Sequence, residues 1–347
     1  MNQLKFIFLV FVFVCNTLGL SAQNKKLLPY AIAFYNLENL FDTINVNGNY
    51  DLEYSPAGEK VWNSKKYYSK QDNMAYCISR LGKEVCPLGP AVIGVAEVEN
   101  RSVLEDLVKR GDLAKYNLQI VHYDSPDLRG VDVALLYNPF LFSVVSSKPY
   151  PLTIPELPDF RTRDVLLVSG LMDGEKFHIL VNHWPSRRNG EKASRHLRVA
   201  AAGLNKYIYD SIRIADPDAK VIIMGDLNDD PDNASVKDVL EAKAKMKDVK
   251  KNGLFNPMAE LHAKGIGTLA YQDSWNVFDQ IMVSDNLLGD DKSTFKYWKV
   301  EIFNRDFLIQ KEGKYKGYPL RTHSENAFLN GYSDHFPVLI YLVKHFE

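Results

Sequence analysis

Four apolar runs, far apart in the chain, each stop at a polar residue, and this repeated ending constrains the fold more than any other feature. AIAFYN stops at Asn36, AVIGVAE at Glu97, FHILVNH at His183, and VIIMGDLN at Asp226 and Asn228. A fifth polar cluster, Ser333-Asp334-His335, stands just before the run FPVLIYLV. Short runs of this composition read as buried strands. Polar groups gathered at the ends of several strands are what a site built on a rigid scaffold requires.

The stretch VIIMGDLNDDP, residues 221–231, shows the logic best. Gly225 ends the apolar run and permits a tight turn. Asp226 and Asn228 alternate, so in an extended segment they project to one side. A carboxylate orients water and an amide donates to an oxyanion, a pairing suited to phosphate chemistry. Taken alone, the stretch is equally a polar turn. A calcium loop fits less well, because Pro231 stands where that loop needs Gly and Lys237 where it needs a bidentate Glu. Asp279, in WNVFDQIMVS, is a carboxylate among apolar neighbours and needs a partner. His335 is a candidate. Each residue also has a plain reading on its own: a turn Asn, a solvated Glu, a packed histidine.

The remaining pattern is rich in strands, at 118–123, 132–137, 142–147, 165–171, 278–283 and 338–343. Helices are expected over 70–81, 102–110 (Ser102 as N-cap), 193–212 and 235–247. Neighbouring strands with few intervening helices suit two packed sheets with helices outside better than alternating βαβ units. No linker separates the motifs, so residues 23–347 read as a single domain, and 347 residues with 46% hydrophobic content suffice for a large core. A formal net charge of −1 excludes a global basic field for nucleic acid but not an enzyme acting on one.

Residues 1–22 have the layout of a signal peptide: Lys5, an apolar run from Phe6 to Val14, then small residues near Ser21 and Ala22. The run is short for a bilayer span. Export to the periplasm or medium, cleavage near Ala22 and no stable membrane insertion are the expectation; lipid anchoring at Cys15 is the rival. In an oxidising compartment Cys77 and Cys86 are expected to pair.

YNLENLF, GVAEVEN, NHWPSR, GDLND and SDHFPV, in this order, resemble the endonuclease/exonuclease/phosphatase superfamily over about residues 30–345. That superfamily includes DNase I-like nucleases, abasic-site endonucleases, neutral sphingomyelinases and inositol-polyphosphate 5-phosphatases. RGVDVALLY and NHWPSRR look most like its exported bacterial branch. The resemblance implies a DNase I-like α/β fold, a four-layer sandwich of two packed, mostly antiparallel sheets flanked by helices. It implies Glu97 as a metal carboxylate, Asn36 beside that metal and Asp334 as a further ligand. The ion implied is Mg²⁺, with Mn²⁺ or Ca²⁺ as alternatives. Asp226 resembles the residue that orients or deprotonates the attacking water, and Asn228 the one that hydrogen-bonds the scissile phosphate. Asp279 resembles the carboxylate that holds the final His, and His335 then assists attack or binds phosphate. His183 resembles the His near the leaving group and argues against the abasic-site branch. Arg163, with Arg161 as an equal neighbour, matches a phosphate-contacting Arg. Arg129 reaches phosphate or braces its loop. Arg187, among the basic residues after His183, either binds a polyanion or forms a solvated face.

The expectation is an exported, metal-dependent, monomeric phosphodiesterase acting on nucleic acid as an endonuclease. The alternatives are hydrolysis of phospholipid head groups or of sugar and inositol phosphates and, outside enzymes, a binding module with a dead site.

Overall fold

The structure, a computed structural model, describes residues 26–44 and 52–345. The expected signal peptide, its cleavage site and Cys15 lie outside the described residues. Sixteen strands occur in chain order among them. They are β1 (Leu27–Leu40), β2 (Val92–Val98), β3 (Gln119–His122), β4 (Asp132–Tyr137), β5 (Ser143–Tyr150), β6 (Val165–Met172), β7 (Glu175–His183), β8 (Lys220–Asp226), β9 (Leu254–Phe255), β10 (Leu269–Tyr271), β11 (Ser274–Asn276), β12 (Asp279–Ser284), β13 (Lys296–Ile302), β14 (His323–Ser324), β15 (Ala327–Phe328) and β16 (Val338–His345). The α-helices are α1 (Ser64–Ile78), α2 (Arg101–Val108), α3 (Glu191–Ala215) and α4 (Met258–Ala263).

Two six-stranded sheets form the molecule, ordered β13-β16-β1-β2-β4-β3 and β5-β6-β7-β8-β12-β9. Each contains one parallel pair, β1 with β2 and β7 with β8, and is otherwise antiparallel. Parallel neighbours need a crossover; α1 supplies the first and α3 the second. The sheets pack face to face, with Phe34, Val92, Val181, Ile222 and Met224 in a common core. They approach closely at Gly94, where an added Cβ would lie 2.5 Å from the Met224 sulfur.

β8 explains its own apolar run. Ile222 and Met224 face the opposite sheet, while Val221 and Ile223 pack outward with Ala201, Ala202 and Ile208 of α3. A strand covered on both faces has no need of a polar alternate. The DNase I-like sandwich with outer helices is thus observed.

Three local expectations change. The helix expected over 235–247 is a single wide turn at Ser235–Val239, closed by the Leu240 N–H on the Ser235 carbonyl. Glu241 then turns left-handed (φ 56°), and Lys243 donates to the Leu254 carbonyl, which draws the chain back towards β9. The α2 cap is Asn100, whose Oδ1 accepts from the Val103 N–H, in place of Ser102. Cys77 and Cys86 are not paired: both thiols are free and buried. Their environments differ, Cys77 meeting the Tyr35 hydroxyl while the Cys86 Sγ donates to the Pro29 carbonyl (3.3 Å). No helix among the described residues is long and apolar enough to cross a membrane.

Candidate active site

The second sheet lays three of its site residues in one row. β7 and β8 run parallel, so His183 and Asp226 fall side by side at their C-terminal ends. β12 runs back antiparallel, so its first residue, Asp279, pairs with Asp226. In-register residues on adjacent strands point to the same face. All three are buried, Asp279 completely. Gly225 permits the close approach of β7 and β8, since a Cβ there would lie 2.4 Å from the Asn182 carbonyl oxygen.

His335 reaches this row from the segment ahead of β16. Its main-chain N–H donates to Ser333 Oγ (3.1 Å), and Ser333 Oγ donates to the Asn36 carbonyl (2.7 Å). Its Nδ1 lies 2.7 Å from Asp279 Oδ2, and its Nε2 lies 3.9 Å from Asp226 Oδ2. Burial alone would lower the imidazole pKa, but Asp279 and Asp226 raise it well above the ordinary value, so His335 is held as imidazolium. His183 is the opposite case. Burial and the nearby Arg163 push it well below the ordinary value, leaving a neutral ring. Its Nε2 stands 3.7 Å from Asp226 Oδ2 and 3.8 Å from Glu97 Oε1, between the two halves of the site.

Asp226 is gripped on both oxygens. Oδ1 accepts from the Asn228 main-chain N–H (3.0 Å), and Oδ2 accepts from Asn36 Nδ2 (3.0 Å), which crosses over from the first sheet. Burial, opposed by His335, pushes its carboxyl up to about 6. Asn228 sits in left-handed backbone (φ 51°), with Nδ2 donating to the Trp184 carbonyl (3.0 Å).

The first sheet builds its share differently. β1 and β2 pair regularly up to Asn36 and Ala96, then shift register before Leu40 and Val98. Glu38, Asn39 and Glu97 have φ of 49°, 54° and 60°. Such bulges re-aim side chains at a cost in backbone strain. The Asn39 N–H donates to Glu97 Oε2 (2.9 Å), locking one bulge to the other. Arg129 Nη1 stands 3.4 Å from Glu97 Oε1, while its Nη2 donates to Asn39 Oδ1. Burial works against the Glu97 charge, but neighbouring positive charge, that of Arg129 above all, lowers the pKa.

Glu38 is a residue the motif reading missed. Its Oε2 accepts from the Thr322 N–H (2.7 Å) and its Oε1 from Arg321 Nε (3.2 Å). Lys70 Nζ, buried on α1, lies 3.9 Å away and donates to Thr322 Oγ1 and to the Tyr332 carbonyl (3.0 Å). Arg321 Nη2 also donates to Asp334 Oδ2 (2.9 Å). Burial and the Asp334 charge push Glu38 up to about 7, and burial brings Lys70 down to about 8. The signal that marks Glu38 is its spacing: Asn36-x-Glu38 repeats the alternation of Asp226-x-Asn228.

Two arginines expected at phosphate also hold main-chain carbonyls of the site. Arg163 is buried, with Nη1 on Asp127 Oδ1 (3.0 Å), Nη2 on the Trp184 carbonyl (2.7 Å) and Nε on the His183 carbonyl (3.2 Å). Nε and Nη2 thus hold the end of β7, and Nη1 ties it to the segment carrying Asp127. Arg187 Nε donates to the Asn228 carbonyl (2.9 Å) and Nη2 to Asn233 Oδ1 (2.8 Å), and the group lies over the Phe278 ring. It shapes the loop after β8. Arg129 is the expected arginine that stays at the mouth beside Glu97.

Residues 31–344 match the Endonuclease/Exonuclease/phosphatase family. No curated protein sequence matches significantly. Among solved structures, an endonuclease/exonuclease/phosphatase family protein from Bacteroides thetaiotaomicron is 17% identical with a TM-score of 0.54, covering 93% of this chain and 100% of its own. A counterpart from Bacteroides vulgatus is 16% identical (TM-score 0.53; 90% and 98% covered). TDP2 from D. rerio, complexed with single strand DNA product, is 14% identical (TM-score 0.53; 90% and 98% covered). At these identities the structural likeness shows the fold alone; the family rests on the sequence match, which spans nearly all the described residues. The chain belongs to the endonuclease/exonuclease/phosphatase family.

Proposed function

We propose that the protein is a divalent-metal-dependent phosphodiesterase whose substrate is nucleic acid. The observation that carries this reading is the buried imidazole of His335, held by Asp279 at Nδ1 and aimed at Asp226 with Nε2, across from Glu97. That one site offers a proton acceptor, a fixed cation and an ionised carboxylate.

The side chains fit a hard cation. Glu97 and Asp334 keep 12% and 34% of their side chains open to solvent, so oxygen donors and water are both at hand. The Asp334 charge opposes ionisation of both Glu38 and Glu97, a crowding of like charge that a cation relieves. Asp226, Asp279 and His335 also have cage spacing, but an imidazolium has no lone pair to give. Glu97, Asp334 and Asn36 are the assigned holders. A bound Mg²⁺ supplies Lewis-acid stabilisation of charge on the phosphate oxygens and leaving group.

Asp226 orients the attacking water and takes its proton, its two oxygens fixed by Asn36 and Asn228. The His335 imidazolium stands over Asp226 and stabilises negative charge as it builds. Asn228 keeps a second Nδ2 proton beyond its bond to Trp184 for a phosphoryl oxygen. Neutral His183, between Glu97 and Asp226, serves the leaving-group side. Export rests on the N-terminal pattern alone. The D. rerio TDP2 complex with single strand DNA product supports nucleic acid over the alternatives.

The test is a hydrolysis screen of purified protein with Mg²⁺, Mn²⁺, Ca²⁺ or EDTA. It includes a bis-aryl phosphate, single-stranded and plasmid DNA, RNA, sphingomyelin and inositol phosphates. Metal-dependent cleavage of the bis-ester and of DNA or RNA is expected. Full activity in EDTA overturns the metal assignment, and turnover confined to sphingomyelin or inositol phosphates overturns the substrate.

A further inference from the structure

A cleft of about 820 Å³ opens beside Arg321 and Asp334, far larger than a phosphate needs. One wall is the β10–β11 hairpin, with Tyr271 at its tip; the other is the 310–321 loop, with Tyr315. A hydrogen-bond pair joins the walls: the Tyr318 hydroxyl donates to Asp273 Oδ1 (2.6 Å) and accepts from the Asp273 N–H (2.7 Å). The loop is itself braced, Gln310 and Gly317 bonding back across it through main-chain contacts with Tyr318 and Gln310. An aromatic ladder ties it to the segment that carries His335. Phe336, next to His335, stacks on Trp275 (6.1 Å), Trp275 meets Tyr318 (5.9 Å), and Tyr318 meets Tyr315 (5.6 Å).

Single exposed tyrosines are ordinary on a protein surface. Here two of them, Tyr271 (67% exposed) and Tyr315 (41%), flank one cleft on braced supports. The loop sequence KEGKYKGYPLR interleaves Tyr315 and Tyr318 with Lys311, Lys314, Lys316 and Arg321 against Glu312, while Asp273 and Asp334 also line the cleft. The chain as a whole is near neutral, so this basic segment is local. Aromatic faces for bases and ammonium groups for the backbone are what a single strand requires, whereas a duplex keeps its base faces stacked inside.

We propose that this cleft binds the unpaired nucleotides flanking the scissile phosphate, with Tyr271 and Tyr315 as base-stacking platforms and Lys314 as a backbone contact. The proposal rests on the phosphodiesterase reading and names its substrate form, single-stranded nucleic acid.

The test reads binding apart from hydrolysis. Fluorescence anisotropy of a labelled single-stranded oligothymidylate is measured in EDTA with the purified protein, Tyr271→Ala, Tyr315→Ala and Tyr315→Phe. Each alanine variant is expected to weaken binding about tenfold, and Tyr315→Phe to keep it, because stacking needs the ring and not the hydroxyl. Lys314→Ala is expected to lower the salt slope of log affinity by about one unit. Affinity unchanged in both alanine variants overturns the proposal, as does duplex binding as tight as single-strand binding. Loss of sphingomyelin-vesicle binding in the tyrosine variants, with oligonucleotide binding intact, would assign the cleft to a membrane surface instead. Hydrolysis with tyrosine-independent binding sinks the cleft and keeps the reaction; tyrosine-dependent binding without hydrolysis does the reverse.

Discussion

The two sheets bring their side chains to the same site by opposite means. In the second sheet His183, Asp226 and Asp279 occupy ordinary register positions on three adjacent strands. In the first, Glu38 and Glu97 stand on paired bulges, with φ of 49° and 60°. A left-handed non-glycine residue costs roughly 1–3 kcal/mol and persists only where its surroundings enforce it. The regular row makes a permanent hydrogen-bonded assembly, Asp279 to His335 with Asp226 beyond. The bulged edge buries two carboxylates whose charge Arg129, Arg321 and Lys70 balance. In the proposed function, proton handling falls to the row and cation holding to the carboxylates beside the bulges.

The largest effect expected is on the row. Asp279→Asn should reduce hydrolysis by on the order of 10²–10⁴, the range for a positioned acid–base group. His335→Ala should cost about the same, and the double variant little more, because both changes disable one unit. Fully additive losses in the cycle would separate the two residues.

Asn36 links the halves, its Nδ2 reaching Asp226 and its Oδ1 accepting from the Glu38 N–H (2.9 Å). Asn36→Ala should lower activity by about 10- to 100-fold, the usual loss when a supporting partner of a site is removed. Wild-type kinetics in this variant would show that row and bulges work independently.

Much of this contrast was readable in the amino-acid sequence, and unequally so. The row was legible because each member ends or begins an apolar run, and a two-residue period survives in regular strands. β8 announced itself through VIIM, apolar on both faces because α3 covers one and the opposite sheet the other. Glu38 keeps the two-residue spacing from Asn36, but nothing local shows that the strand bulges there and buries it among Arg321, Thr322 and Lys70. Nothing local in the sequence revealed that Arg163 and Arg187 also bond the Trp184, His183 and Asn228 carbonyls. The turn at 235–239 has helical composition, and its interruption depends on Lys243 meeting Leu254, a contact the local sequence does not encode.

A smaller effect concerns pH. In metal-free protein the His335 ring should stay charged above its ordinary value of about 6.5, while His183 stays neutral at pH 6. Because the folded His335 pKa lies above the unfolded one, its contribution to stability is complete below about 6.5 and is lost as pH rises through the folded value. The stability gap between wild type and Asp279→Asn should therefore narrow with rising pH. Nitrogen-15 NMR of the imidazoles and denaturant melts at several pH values check both statements; a gap that widens would reverse the assignment.

The division of labour itself is tested most directly by calorimetric titration of Mg²⁺ into Glu97→Gln and into Asp279→Asn. Glu97→Gln removes a charged donor from the bulged edge, and Asp279→Asn disables the row. The expected result is that Glu97→Gln loses most of the wild-type affinity while Asp279→Asn retains it. Wild-type Mg²⁺ binding by Glu97→Gln, or equal loss in both variants, would contradict the account.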